Sequence, residues 1–332
     1  PMFMKSDENN EVKSSSDSGD VASSLDDIEK SDYVIMTDYT KDSGFMKPME
    51  EMSDYWDGQI IQFSADDFKG LKKKLDKADP EYVDFVIDPK TFHLKFARNV
   101  YRANLSLNPE NEDREFLNHK VDFAHSYLTC EKPEDLKDWF DRVKAYESGK
   151  TTLPKRVVSY NSVDKKGIDN YEERFDRTEK HFDKMGFSYD RKLPMHEDVD
   201  EVQEELEEGG VVIFNTHGGG SGLSGGTSDK EKLIHHDEIP DVDEPLIVWN
   251  TACYGAITYK CYLERKVEDR KVKFKEGTRP FKMSLVYNFI EQGALAYVAH
   301  TRMSGHIAWP DNLSERLSNT KHAKMWPTTT MF

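Results

Sequence analysis

Cysteine is scarce in this 332-residue chain, which holds only Cys130, Cys253 and Cys261. No two of them share the CxxC spacing that grips zinc, and an odd number leaves at least one thiol unpaired. Neither a disulfide framework nor a cysteine-based zinc centre can therefore organise the fold. Long apolar runs are missing too. None approaches the ~18 to 20 residues that span a bilayer, and the opening PMFMKSDENN lacks the apolar stretch of a secretory signal. Positive charge is in short supply, with 46 Lys and Arg against 63 Asp and Glu and a net charge of −17. A field of that sign repels phosphate backbones and anionic headgroups, which argues against nucleic-acid and membrane-surface partners and favours cationic ones, while also serving solubility. The glycine stretch from Gly218 to Gly226 is not followed by Gly-Lys-Ser/Thr, so it is no phosphate-binding loop, and neither HExxH nor DxDxDG occurs. His235, His236 and Asp237 are adjacent, and neighbouring side chains usually point apart, so they read as a surface loop and no metal ligand is assigned.

What is present is ample material for a core. The chain is 36% hydrophobic, with 18 Phe, 15 Tyr and 5 Trp. Residues 1–30, rich in Ser, Asp, Glu and Lys, read as a disordered tail or linker, with order expected from about Tyr33. Beyond it, apolar strands alternate with amphipathic helices. In residues 31–150 these are YVIM (33–36), a helix with Met46, Met49, Met52 and Trp56, then IIQF (60–63), YVDFVI (82–87) and a helix from Pro133 to Tyr146. In residues 151–332 they are RVVSY (156–160), helices carrying Tyr171 to Met185 and Val199 to Leu206, VVIFNT (211–216), LIVWN (246–250), a helix from Phe281 to Ile290 and ALAYVA (294–299). This alternation predicts an α/β fold with a largely parallel sheet covered on both faces, in two consecutive and similar subdomains, the first without chemistry.

The chemistry gathers at two strand ends. VVIFNT runs into His217-Gly218-Gly219-Gly220, and LIVWN runs into Thr251-Ala252-Cys253-Tyr254-Gly255. Active residues of open parallel sheets lie just beyond the strands' C-terminal ends, and neighbouring strands there are ~4.8 Å apart. A thiol of pKa near 8.5 is only a few per cent thiolate at neutral pH, so it needs an imidazole to activate it and to protonate the leaving amine. The backbone N–H groups of Gly218 and Cys253 would form the oxyanion hole. Cys253 alone is most simply a small buried hydrophobe and His217 alone a loop histidine. Ending two apolar strands together, they point to a Cys-His dyad.

These motifs resemble the caspase-like cysteine peptidases, whose pattern is an apolar strand into His-Gly and a second into a small residue and Cys. Within that group the chain looks most like the gingipain family, on VVIFNTHGGGSG, LIVWNTACYG and GALAYVAHTRMSGHIAWP (293–310), with weaker likeness over 155–200 and DLKDWFDRVKAYE (135–147). The resemblance implies a three-layer αβα caspase-like fold, with residues 31–150 non-catalytic and 151–332 catalytic, and a cysteine endopeptidase acting on protein or peptide substrates. It implies no required cofactor, with calcium as an optional ion, and leans to a secreted protein. It further implies cleavage after Arg or Lys, with Asp169 at the pocket base and Trp309 stacking on a guanidinium. Asp169 is equally an N-cap with Glu172 completing a capping box, and Trp309 equally a packing residue. Two departures stand out: three glycines follow His217, and the chain ends at Phe332, short of the family's terminal helix and strand, as a shortened member or a fragment would. The competing readings are a catalytically inactive caspase-like module that binds protein, and a flavodoxin-like nucleotide binder. VSYNSVDKKG serves the latter poorly as a phosphate loop.

Overall fold

The computed structural model describes residues 21–108, 122–161, 168–192, 198–225, 232–252, 255–256, 260–266, 272–278 and 280–299. Two compact units divide between Phe140 and Asp141.

The first unit is built on β1 (Tyr33–Thr37), α1 (Met46–Tyr55), β2 (Gln59–Gln62), α2 (Phe68–Ala78), β3 (Tyr82–Val86), α3 (Leu94–Leu107) and β4 (Ala124–Leu128). Its strands lie side by side in the order β2-β1-β3-β4, all parallel. All five residues of β1 are buried, because both faces of the sheet are covered. Val34, Met36, Val83 and Phe85 face Leu71 and Leu75 of α2 and Phe96 and Val100 of α3. Toward the other face, the Tyr33 ring meets Trp56 edge-on at 5.0 Å, and Trp56 meets Phe140 at 5.2 Å. Phe140 lies on α4 (Pro133–Glu147).

Order begins ahead of Tyr33. Within the segment expected to be a tail, Ala22 bridges to Ile61, and Ala22 and Ile28 are buried in the first unit's core. The cause is three apolar residues, Val21, Ala22 and Ile28, embedded in the Ser/Asp-rich composition and all buried.

The second unit contains β5 (Arg156–Asn161), α5 (Ile168–Lys184), β6 (Ser188–Lys192), α6 (Val199–Glu207) and β7 (Gly210–Asn215). Then follow three short strands, β8 (His217–Gly219), β9 (Gly222–Ser224) and β10 (Lys232–His235), and after them β11 (Leu246–Asn250). An antiparallel pair, β12 (Lys260–Lys266) and β13 (Val272–Thr278), precedes α7 (Leu285–Glu291) and β14 (Ala296–Ala299). The main sheet runs β14-β11-β7-β5-β6, parallel throughout. Alternate residues serve opposite faces. Val158, Tyr160, Val212, Phe214 and Val248 meet Val202 and Leu206 of α6 and Leu285 and Phe289 of α7. Val157, Val211, Ile213 and Trp249 meet Phe182 of α5. Each such side chain contributes about 1.5–3 kcal/mol by leaving water. The result is a three-layer αβα arrangement.

The glycine stretch after β7 carries strands: β8 and β9 pair antiparallel within it, and β10 joins them. One local reading changes. The helix expected from Phe281 is a short 3-10 turn, Phe281–Met283, followed by α7. Ser284 separates the two because its hydroxyl accepts the N–H of Tyr287 and so caps α7.

Candidate active site

In the main sheet of the second unit the strand order reverses between β5 and β7, and ligands of such sheets sit beyond the C-terminal ends at that switch. β7 and β11 are immediate, parallel neighbours, with Gly210 opposite Leu246 and Phe214 opposite Asn250. The chain leaving β7 reaches His217 after Asn215 and Thr216, and the chain leaving β11 runs through Thr251 and Ala252 toward Cys253. Both segments therefore leave the same edge of the sheet from adjacent strands. His217 is exposed and opens β8, where it pairs with Ser224. Cys253 lies outside the described residues.

Both segments rest on a row of buried polar side chains. β5, β7 and β11 each end in asparagine: Asn161, Asn215 and Asn250. Asn215 Nδ2 donates to Asn161 Oδ1 at 3.4 Å, and the Thr251 hydroxyl donates to Asn215 Oδ1 at 2.8 Å. Thr251 N–H also donates to the Phe214 carbonyl at 2.8 Å. Asn250 reaches forward: its Oδ1 accepts the Ala252 N–H at 2.9 Å and its Nδ2 donates to the Tyr297 hydroxyl at 2.6 Å. Tyr297 donates in turn to the Gly255 carbonyl at 3.2 Å. Residues 252 and 255, on either side of Cys253-Tyr254, are thus both tied to the Asn250–Tyr297 pair. Burial raises the Tyr297 phenol well above its ordinary pKa, opposed in part by the Asn250 bond, so it remains a donor. A Cβ on Gly255 would stand 2.5 Å from Asn250 Nδ2, so only glycine fits there.

The same logic holds at Gly218, where a Cβ would meet the Gly222 carbonyl oxygen at 2.8 Å. The close approach of β9 thus requires glycine beside His217. Beneath that histidine, the Thr216 hydroxyl is buried with no hydrogen-bond partner among the described residues.

The remaining expected site residues are less fully described. Asp169 is the second residue of α5, inside the helix that an N-cap would precede. Trp309 lies outside the described residues. Cys261 lies in β12, and Cys130 is buried in the first unit, just past β4. His235, His236 and Asp237 stand at the end of β10 and the start of a 3-10 turn, and their potential ligand atoms gather within 4.8 Å. The reasoning that adjacent side chains point apart fails here. His235 is extended and the chain turns helical at His236, so the side chains do not alternate and the rings lie 4.3 Å apart.

Sequence reasoning passed over the asparagines and Tyr297. The signal was legible as three apolar strands ending alike, in VVSYN, VVIFN and LIVWN. Asparagine is unfavourable in a strand interior, and its repetition at strand ends marks a polar row.

No family model and no curated protein matches the chain. A solved structure described as "Structure of Protease" superposes with a TM-score of 0.55 at 12% identity, over 82% of this chain. The chain spans 60% of that structure's length. No helix among the described residues is long and apolar enough to cross a membrane. At this level of identity the superposition shows a shared fold: a mixed α/β protein whose mostly parallel sheets are flanked by helices.

Proposed function

We propose that this chain is a cysteine endopeptidase of the caspase-like type, most like the gingipain family, with Cys253 as nucleophile and His217 as acid/base. The observation that carries the reading is the adjacency of β7 and β11, which end at one edge of the sheet and are followed in sequence by His217 and Cys253. The fold shared with a solved protease supports it. In this reading the Cys253 thiolate adds to the scissile carbonyl carbon. The N–H groups of Gly218 and Cys253 take up the oxyanion. Collapse breaks the C–N bond as the His217 imidazolium gives its proton to the departing amine, leaving a thioester. Water, deprotonated by His217, then adds to the thioester carbonyl and releases acid and thiolate. The exposure of His217 suits a base that must reach substrate and water.

The finer part of the proposal is specificity for Arg or Lys ahead of the cleaved bond, with Asp169 receiving the cation and Trp309 lying over it. The net charge of −17 supports the attraction of basic substrates.

The test is labelling by a peptidyl electrophile carrying Arg at its reactive end, read by peptide mass mapping. Cys253 is expected to take the label, Cys253→Ala and His217→Ala to abolish labelling, and Cys130→Ala to leave it intact. An electrophile with Leu in place of Arg is expected to react far more slowly. Label on Cys130 or Cys261, or none on the folded protein, would discard the peptidase and leave an inactive binding module.

A further inference from the structure

We propose that His235, His236 and Asp237 form a binding site for a borderline divalent cation of the Zn2+ class. Their ligand atoms lie within 4.8 Å of one another. A four- or five-coordinate ion with bonds of ~2.0–2.2 Å needs its ligands ~3–3.5 Å apart, so shifts of about 1 Å close the site. The rings of His235 and His236 are 4.3 Å apart, tilted at 47°, and His235 Nδ1 meets Asp237 Oδ1 at 2.6 Å.

The backbone beneath the three side chains is held from several directions. The His236 N–H donates to the Ser221 carbonyl at 2.9 Å. The Glu238 carboxylate accepts the His235 N–H at 2.8 Å and also pairs with Lys232. The Glu238 carbonyl accepts from Gln203 of α6 at 2.6 Å. The His235 ring lies against β9, its Cδ2 2.9 Å from where a Gly222 Cβ would stand. Ordering entropy has thus been met before any ion arrives, which is the condition for useful affinity from three ligands on one short segment.

The donor set selects the ion. Two imidazole nitrogens and one carboxylate oxygen suit Zn2+, Ni2+ and Cu2+, whereas Ca2+ and Mg2+ require oxygen cages. His235 and Asp237 remain 34% and 67% exposed, so solvent can fill the open positions. The site shares the three-stranded sheet of β8, β9 and β10 with His217. His235 pairs across to Gly222, Gly222 to Gly219, and His217 opens the outer strand. An ion at one corner of this sheet therefore stiffens the hairpin that bears the exposed histidine.

This inference stands apart from the peptidase reading, because its test reads metal binding and not turnover. The full chain, with its thiols alkylated by iodoacetamide, is titrated with ZnCl2 by calorimetry and with CoCl2 by visible absorption. One equivalent is expected at micromolar dissociation constant, with a Co2+ d–d band, while CaCl2 gives no heat. His235→Ala and His236→Ala each weaken binding at least about tenfold and Asp237→Asn less, with the far-ultraviolet dichroism unchanged. Should His235→Ala disturb the fold, His236→Gln keeps its backbone bond to Ser221 and serves alone. Binding unaltered by these substitutions, or none below millimolar Zn2+, would overturn the proposal.

Discussion

The two units wind their sheets alike. In the first, the strands lie in chain order two, one, three, four, as β2-β1-β3-β4, and in the second β6-β5-β7-β11 repeats that order before β14 extends it. The third and fourth strands of each end at equivalent places on the sheet's C-terminal edge. In the first unit those ends lead into Ile87-Asp88 and Thr129-Cys130, and in the second into Thr216-His217 and Thr251-Ala252-Cys253. Topology alone therefore offers both units the same opening for chemistry, and even a cysteine to put there. The furnishing differs. The first unit closes its edge: Cys130 is buried, and Asp38 accepts the Asp88 N–H at 2.9 Å and the Thr91 hydroxyl, fastening the loop after β3. The second leaves His217 exposed and ties down only the flanks of Cys253. A parallel sheet makes a place; exposure and residue type decide whether anything happens in it.

The sharpest physical contrast between the units is acid sensitivity. His125, on β4, is fully buried beside Asn104, and burial depresses its pKa to about 3. A histidine whose folded pKa is depressed contributes stability above its unfolded pKa of ~6.5 and loses it as pH falls through that value. The loss runs at about 1.4 kcal/mol per pH unit, so on the order of 3 kcal/mol is gone by pH 4. Urea unfolding between pH 7 and 4.5, with amide exchange followed separately in β1–β4 and β5–β7, should show the first unit weakening first. His125→Gln should flatten that slope. Equal slopes for parent and variant would remove the distinction.

Next in size is the Asn250 linkage, which the first unit lacks: β4 ends in Leu128 where β11 ends in Asn250. Asn250→Ala leaves the buried Ala252 N–H unpaired and strips the Tyr297 hydroxyl of its donor, at a cost of about 1–3 kcal/mol. If the linkage positions the segment between residues 252 and 255, labelling of Cys253 by the Arg electrophile should also slow at least about tenfold. Unchanged stability would sink the structural reading of the linkage. Unchanged labelling at lowered stability would make it packing alone.

Most of the architecture was legible because periodicity reports burial directly. Runs such as VVIF and LIVW have no polar face, which happens only where helices cover both sides of a parallel sheet, and each becomes a central strand. β8 and β9 were not legible, since a glycine-rich segment carries no side-chain alternation to read, and the four residues of β10, KLIH, are too few to show a period. Order ahead of Tyr33 was hidden because the Ser/Asp-rich composition masks three buried apolar residues, Val21, Ala22 and Ile28. For the candidate site, the two strands β7 and β11 were legible from their motifs, but the asparagine row was not. Polar residues at strand ends look like ordinary loop entry until adjacency of β5, β7 and β11 lines them up.

The smallest contrast lies at the opposite, N-terminal edge, where helices turn back into strands. After α1 and α2 the chain bends through the left-handed region at Asp57 (φ 52°) and Asp79 (φ 51°), whereas after α5 the same bend falls on Gly186 (φ 77°). A residue with a Cβ is disfavoured there by roughly 1 kcal/mol relative to glycine, and aspartate by somewhat less, because its short polar side chain can bond locally. Glycine also loses more chain entropy on folding, which offsets part of the relief. Asp57→Gly should therefore stabilise the first unit by about 0.5 kcal/mol, read as a rise in urea midpoint at constant m-value. Gly186→Ala should destabilise the second by about 1 kcal/mol through backbone strain alone, since no atom lies within 4 Å of the added Cβ. Asp79→Gly is a weaker probe, because it also removes the pairing of Asp79 with Lys30. That pair is 62% and 79% exposed and so worth little. If Asp57→Gly lowers the midpoint, the aspartate holds its turn through its side chain, and the two units stop their helices by different physics. If it raises the midpoint while Gly186→Ala lowers it, one rule governs both units and the first has not settled on its best residue.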